Sequence, residues 1–198
     1  MIYVMSDIHG MYDKYIEMLE LINLREHDSL YILGDIVDRG LHPMKILQDM
    51  MKRPNVFGIF GNHELMMAEC FNIITQEITN ELLDNFDEEA LIKLSDWMNN
   101  GAFQTIQEFK KLSKEEQKDI IEYLMEFTAY EEVEVKGRYY LLVHAGLGDF
   151  SEEKSLDEYD VNDFVWKRPD WDIPYFTDPN KFVVVGHTPT LGINGKPE

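Results

Sequence analysis

Ser29-Leu30-Tyr31-Ile32-Leu33-Gly34-Asp35 is a run of strand-forming side chains that stops abruptly at a Gly-Asp pair. A short apolar run bounded by such a cluster reads as a buried strand. The pattern recurs. Residues 2–6 precede Asp7-Ile8-His9-Gly10, 56–60 precede Gly61-Asn62-His63-Glu64, 139–143 precede His144-Ala145-Gly146, and 182–185 precede Gly186-His187-Thr188. Helical patterns separate the first three runs: 11–24, with apolar positions 12, 15, 16, 19 and 22, and 43–51, with Pro43 where a first helical turn accepts it. Strand, helix, strand, helix, strand predicts parallel pairing and a layered α/β fold. Ligands bind at the carboxyl edge of such sheets, so the five polar clusters are expected to converge there.

The character changes over residues 65–128. Stretches 65–78, 88–99 and 114–127 carry helical patterns, the last with apolar positions 120, 121, 124 and 127 on one face. This predicts a helical insertion between the third strand and a hairpin of 131–135 and 138–143, turned at Lys136-Gly137. The Asp-, Glu- and Ser-rich stretch 148–160 is expected to be an exposed loop. A single domain over 1–198 accommodates all of this. The sequence ends ten residues after Thr188, which leaves open a truncated final strand.

Composition sets the outer bounds. Hydrophobic residues at 44% are ordinary for a packed protein, so wholesale disorder is not expected. Thirty-eight carboxylates against 18 basic residues give a formal charge of −20, a field that repels nucleic acids and anionic lipid surfaces. A small anionic substrate stays compatible, because bound divalent cations reverse the field locally. The one cysteine, Cys70, lies in an apolar stretch and is expected to be packed, with no internal disulfide framework. No apolar run approaches the roughly 20 residues that span a bilayer. The first residues lack a basic region followed by a long apolar one, so a cytoplasmic location is expected.

Four of the six histidines, at 9, 63, 144 and 187, fall in the strand-end clusters, whereas His27 and His42 do not and are expected at the surface. The clusters supply carboxylate oxygen, imidazole nitrogen and amide oxygen, the donors that hard and borderline divalent cations favour. Asp7 and His9, two apart at a strand end, can face one ion. Asp35 has two oxygens that can bridge a pair of ions, and Asn62, His144 and His187 complete the second. Paired ions about 3.5–4 Å apart suit in-line phosphoryl displacement. No Gly-x-x-x-x-Gly-Lys-Ser/Thr loop is present, which argues against a P-loop nucleotidase.

Asp7-Ile8-His9-Gly10, Gly34-Asp35-Ile36-Val37-Asp38-Arg39-Gly40, Gly61-Asn62-His63-Glu64, His144-Ala145-Gly146 and Gly186-His187-Thr188 together resemble the calcineurin-like metallophosphoesterase superfamily. Within it they are most similar to the phosphoprotein phosphatase branch, in order and approximate spacing. The resemblance implies a four-layer αββα sandwich. It implies one ion on Asp7, His9 and bridging Asp35, another on Asp35, Asn62, His144 and His187, and a bridging water or hydroxide as nucleophile. It assigns His63 as general acid, with Asp38 orienting it, and Arg39 as a phosphate-binding arginine. The family's second such arginine is best matched by Arg168 in Val165-Trp166-Lys167-Arg168-Pro169, where Lys167 competes. It implies Mn²⁺ as the ion, although the donor set also suits Fe²⁺ or Zn²⁺.

The expected function is hydrolysis of phosphomonoesters, on phosphorylated protein or small phosphoesters, as in bacterial serine/threonine protein phosphatases. The nearest rival is a diadenosine tetraphosphate hydrolase of the same superfamily. Those enzymes often depart from Asp-Arg-Gly at the position of Asp38, so Asp38 favours the monoesterase. A non-catalytic scaffold binding a partner protein is the rival of another class. Such relatives typically lose ligands or the acid histidine, whereas every expected position is present here.

Overall fold

Alternation along the strands decides the layering of the chain, whose computed structural model describes residues 1–76 and 88–189. In β2 (Ser29–Leu33), Leu30 and Ile32 face a helical layer while Tyr31 and Leu33 face a second sheet. A strand buried on both faces needs apolar side chains at nearly every position, and this one has them. β2 is central: β1 (Ile2–Met5) and β3 (Val56–Ile59) pair with it in parallel on either side, as the strand–helix–strand pattern predicts.

The helices α1 (Tyr12–Ile22) and α2 (Pro43–Met50) cover the outer face of this sheet, burying Tyr15, Leu19, Ile46, Leu47 and Met50 against Leu30, Ile32 and Val56. Pro43 stands in the first turn of α2, where its missing N–H costs nothing. The second sheet holds β4 (Tyr130–Val135), β5 (Arg138–Val143) and β6 (Lys181–Val184); β4 pairs antiparallel and β6 parallel to β5. Leu33 and Ile59 of the first sheet meet Val133 and Leu142 of the second, forming the sheet-to-sheet core. On the far side Leu141, Val143 and Val183 pack against Phe164 and Val165 of α8 (Val161–Val165). Helices, sheet, sheet, and a helix with loops make the αββα sandwich. Leu142→Ala would open a cavity where both sheets rely on one side chain. A loss of about 2–5 kcal/mol in urea unfolding is expected.

Between β3 and β4 run α3 (Asn62–Glu69), the short α4 (Phe71–Ile74), α5 (Glu88–Asn99), α6 (Phe103–Phe109) and α7 (Lys114–Met125). The helix expected over 65–78 instead starts at Asn62 and is interrupted at Cys70, and its last two positions lie outside the described residues. Neither α6 nor α8 stood out in the sequence, being only seven and five residues long. The stretch 148–160 is mostly exposed, but it contains a 3₁₀ turn (Leu156–Glu158) and the buried Tyr159. Cys70 is buried, and its apolar surroundings push the thiol up to about 11. No helix among the described residues is long and apolar enough to cross a membrane. Residues 190–198, on which the question of a final strand turns, lie outside the described residues.

Candidate metal centre

All five strand-end clusters meet at one end of the sandwich. The loops there approach so closely that a Cβ on Gly34 would sit 2.4 Å from the Gly61 backbone. Side chains larger than hydrogen would therefore push the β2 and β3 clusters apart. Six non-glycine residues of these clusters have positive φ: Asp7, His9, Asp35, Asp38, Arg39 and His187. Backbone in this region is costly for ordinary side chains and persists where surrounding contacts over-determine it.

One such contact is Glu64, fully buried in the first turn of α3. Its carboxylate accepts from the backbone N–H groups of Asp35 (2.7 Å), Ile36 (2.8 Å), Val37 (3.1 Å) and Gly61 (3.0 Å). The sequence reading assigned Glu64 no role, although an acid three residues after a helix-starting Gly61 is a capping signal.

Two donor groups form around the two oxygens of Asp35. Oδ2 lies 3.5 Å from His9 Nε2 and 3.8 Å from His63 Nε2, while Oδ1 lies 3.3 Å from His144 Nε2. His187 completes the second group, whose ligand atoms lie within 4.8 Å of one another, as do those of the first. Asn62 Oδ1 is 2.9 Å from His144 Nε2 and 3.0 Å from His187 Nδ1, and those two nitrogens are 3.1 Å apart. His144 Nδ1 faces the Leu33 carbonyl at 2.6 Å and His9 Nδ1 faces that of Val37 at 3.0 Å. Each carbonyl needs a donated proton, which fixes the tautomer and leaves both Nε2 atoms as lone pairs. His144 Nε2 and Asn62 Oδ1 are then two acceptors in contact, a repulsive pair that a cation would resolve. Burial lowers the pKa of His9 and of His187, favouring the neutral, ligating form. The residues present therefore fit divalent metal binding.

Asp7 lines the same cleft but is outside both donor groups. Its Oδ2 accepts from Ser6 Oγ at 2.5 Å and from the His187 backbone N–H at 3.0 Å, which ties β1 to the β6 loop. His63 Nδ1 and Asp38 Oδ2 are 2.6 Å apart, and both residues are completely buried. Burial opposes a charge on His63, but Asp38 and Asp35 outweigh it and raise the pKa. Arg39 places one guanidinium nitrogen 2.8 Å from His9 Nε2 and the other 3.0 Å from His63 Nε2. Its positive charge thus stands among the first donor group.

The cleft has a volume of about 920 Å³, and Arg168, Trp166, Trp171 and Asn100 form its outer wall. Arg168 has no carboxylate within salt-bridge distance among the described residues, so its charge is available to a ligand. Trp166 turns its ring toward His187, at 6.2 Å between centroids, rather than stacking on the arginine. Trp171, half-exposed on that wall, was not singled out in the sequence, where its place between Asp170 and Asp172 was the available signal. His27 is exposed, and His42 pairs with Glu108 at 3.0 Å, both away from the cleft.

The chain is similar to known proteins. The chain is 33% identical over 116 residues to a symmetrical bis(5'-nucleosyl)-tetraphosphatase of Wigglesworthia glossinidia brevipalpis, covering 56% of this chain and 42% of that protein. It is 26% identical over 171 residues to serine/threonine-protein phosphatase 2 of Salmonella typhimurium, covering 84% of this chain and 67% of that one. The chain thus spans less than half the length of the first relative. A metallophosphoesterase from Sphaerobacter thermophilus shares the fold, with a TM-score of 0.52 at 19% identity over 94% of this chain and 59% of that chain. The family model for calcineurin-like phosphoesterases matches residues 1–197, and the chain belongs to that family.

Proposed function

We propose that the chain hydrolyses phosphomonoesters of aliphatic alcohols, as a serine/threonine protein phosphatase does. The observation that carries this reading is the buried His63–Asp38 pair beside the Asp35-centred donors. An alkoxide is a poor leaving group and needs a proton as the ester bond breaks, and a positioned acid contributes about 10²–10⁴-fold. The leaving group of a phosphoanhydride is itself a phosphate anion, which departs without one. Burial opposes a charge on His63, but Asp38 on the far nitrogen and the neighbouring Asp35 and Glu64 raise its pKa and favour the charged form, while the Asp38 contact aims the ring. The reading is thus one of alcohol esters over anhydrides.

Two divalent ions, held by His9, Asp35, Asn62, His144 and His187 with Asp7 alongside, would supply Lewis-acid polarisation of the phosphoryl group and of water. Mn²⁺ is the proposed ion. Arg168 and Arg39 are the proposed anchors for phosphate oxygens, since a guanidinium fork matches two of them. His63 supplies the proton to the leaving oxygen, and Asp38 holds the ring in the required orientation.

Hydrolysis of a dinucleoside tetraphosphate is the second reading. It is favoured by the likeness to the Wigglesworthia protein and by the two indoles on the cleft wall, which offer stacking faces for bases. Purified protein with added Mn²⁺ should be assayed on p-nitrophenyl phosphate, a phosphoserine peptide and diadenosine tetraphosphate. Turnover of the first two with slower cleavage of the third is expected. Failure on both monoesters sinks the proposal, and a preference for symmetric cleavage of the dinucleotide replaces it with the second reading.

A further inference from the structure

The Asp38 carboxylate is held from both sides by the helical segment between β3 and β4. Oδ2, which faces His63, also accepts from the indole Nε1–H of Trp97 in α5 at 2.7 Å. Oδ1 accepts from the Thr105 hydroxyl of α6 at 2.6 Å, and that hydroxyl accepts from the Asp38 backbone N–H at 2.9 Å. All four residues, Asp38, His63, Trp97 and Thr105, are completely buried. The loop joining α5 to α6 adds a further hold, where the Gly101 carbonyl accepts from the Arg39 N–H at 3.0 Å. Asp38 and Arg39 both sit at positive φ, so the turn they form draws little support from its own backbone preference.

A carboxylate with one donor can rotate and share its charge with water. With three donors in a dry pocket it is fixed in orientation. Neither Trp97 nor Thr105 lines the cleft, and each directs its donor hydrogen at Asp38. From this geometry we infer that Trp97 and Thr105 are positioning residues, which hold Asp38 so that it aims His63 at the leaving oxygen. The helical segment then takes part in the reaction through the proton-donating pair. This inference rests on the reading of His63 as general acid.

The distinguishing readout is dependence on the leaving group. A phosphoserine peptide needs the acid, whereas p-nitrophenolate leaves without one. Thr105→Val keeps the branched shape and removes both hydroxyl bonds. It is expected to lower kcat on the peptide about 10-fold, a part of the total acid contribution, and to cost under about 3-fold on p-nitrophenyl phosphate. Thr105→Ser should retain the wild-type ratio of the two rates. Trp97→Phe, if it folds, should show the same split.

In the metal-free protein, proton NMR should show the His63 Nδ1–H resonance far downfield, moved upfield by Thr105→Val and restored by Thr105→Ser. Equal loss on both substrates, no loss on either, or a serine variant that behaves like valine overturns the positioning role. His63→Asn is the control for the underlying reading. If it loses both activities equally, the acid assignment falls. If it shows the split while Thr105→Val does not, the inference about Thr105 and Trp97 falls alone.

Discussion

Asp35→Asn is expected to abolish turnover of every phosphoester while leaving the chain folded. Each Asp35 oxygen faces one donor group, Oδ2 toward His9 and Oδ1 toward His144. Replacing one oxygen with an amide nitrogen turns N–H donors on one of those groups and removes the charge both share. Metal ions contribute several kcal/mol to phosphoryl transfer, so losing the shared ligand corresponds to about 10³-fold or more in kcat at ~1.4 kcal/mol per decade. The fold should survive because Asp35 has φ 54, a region that asparagine tolerates as well as aspartate. Metal analysis of the purified variant should find fewer than two ions per chain. Two bound ions together with near-normal kcat on p-nitrophenyl phosphate would refute the bridging role.

Glu64→Ala should be the most damaging single change to stability near the centre. It strands the N–H groups of Asp35, Ile36, Val37 and Gly61 in a fully buried site. Each stranded group costs about 1–3 kcal/mol before relaxation, and water entering the cavity recovers part of that. A net loss of about 3–5 kcal/mol is expected in urea unfolding. Glu64→Gln fills the space but presents an amide N–H₂ to a cluster of donors, so it should still lose about 2 kcal/mol. Metal affinity should fall in both variants, because the backbone carrying Asp35 is no longer held in its positive-φ turn. An unchanged urea midpoint for Glu64→Ala would show that the four bonds are replaceable.

Much of the fold could be read from residues 2–6, 29–33 and 56–60, because strand alternation and strand-end turns are local properties. Where prediction faltered, local patterns were short or competing. The break at Cys70 lies in an apolar stretch with no Gly or Pro to mark it, and α6 and α8 are too short for a periodic signal. Arg39 lines the cleft as a phosphate-binding residue would, and the contact of its guanidinium with His9 and His63 depends on three separate segments that no local pattern joins.

The amino-acid order alone determined the chemistry on offer: carboxylates, imidazoles and one amide at five strand ends, where a parallel sheet brings them to one edge. Only the tertiary structure decided which atoms meet. His144 Nε2 reaches Asn62 across 82 positions, and Thr105 reaches Asp38 across 67. Glu64 had a local capping signal, but its hold on the Asp35 turn spans up to 29 positions. Those partnerships come from packing between layers and from hydrogen bonds that buried groups must find somewhere. No short-range pattern encodes them, because a hydrogen-bond partner is chosen by distance in space and not by separation along the chain.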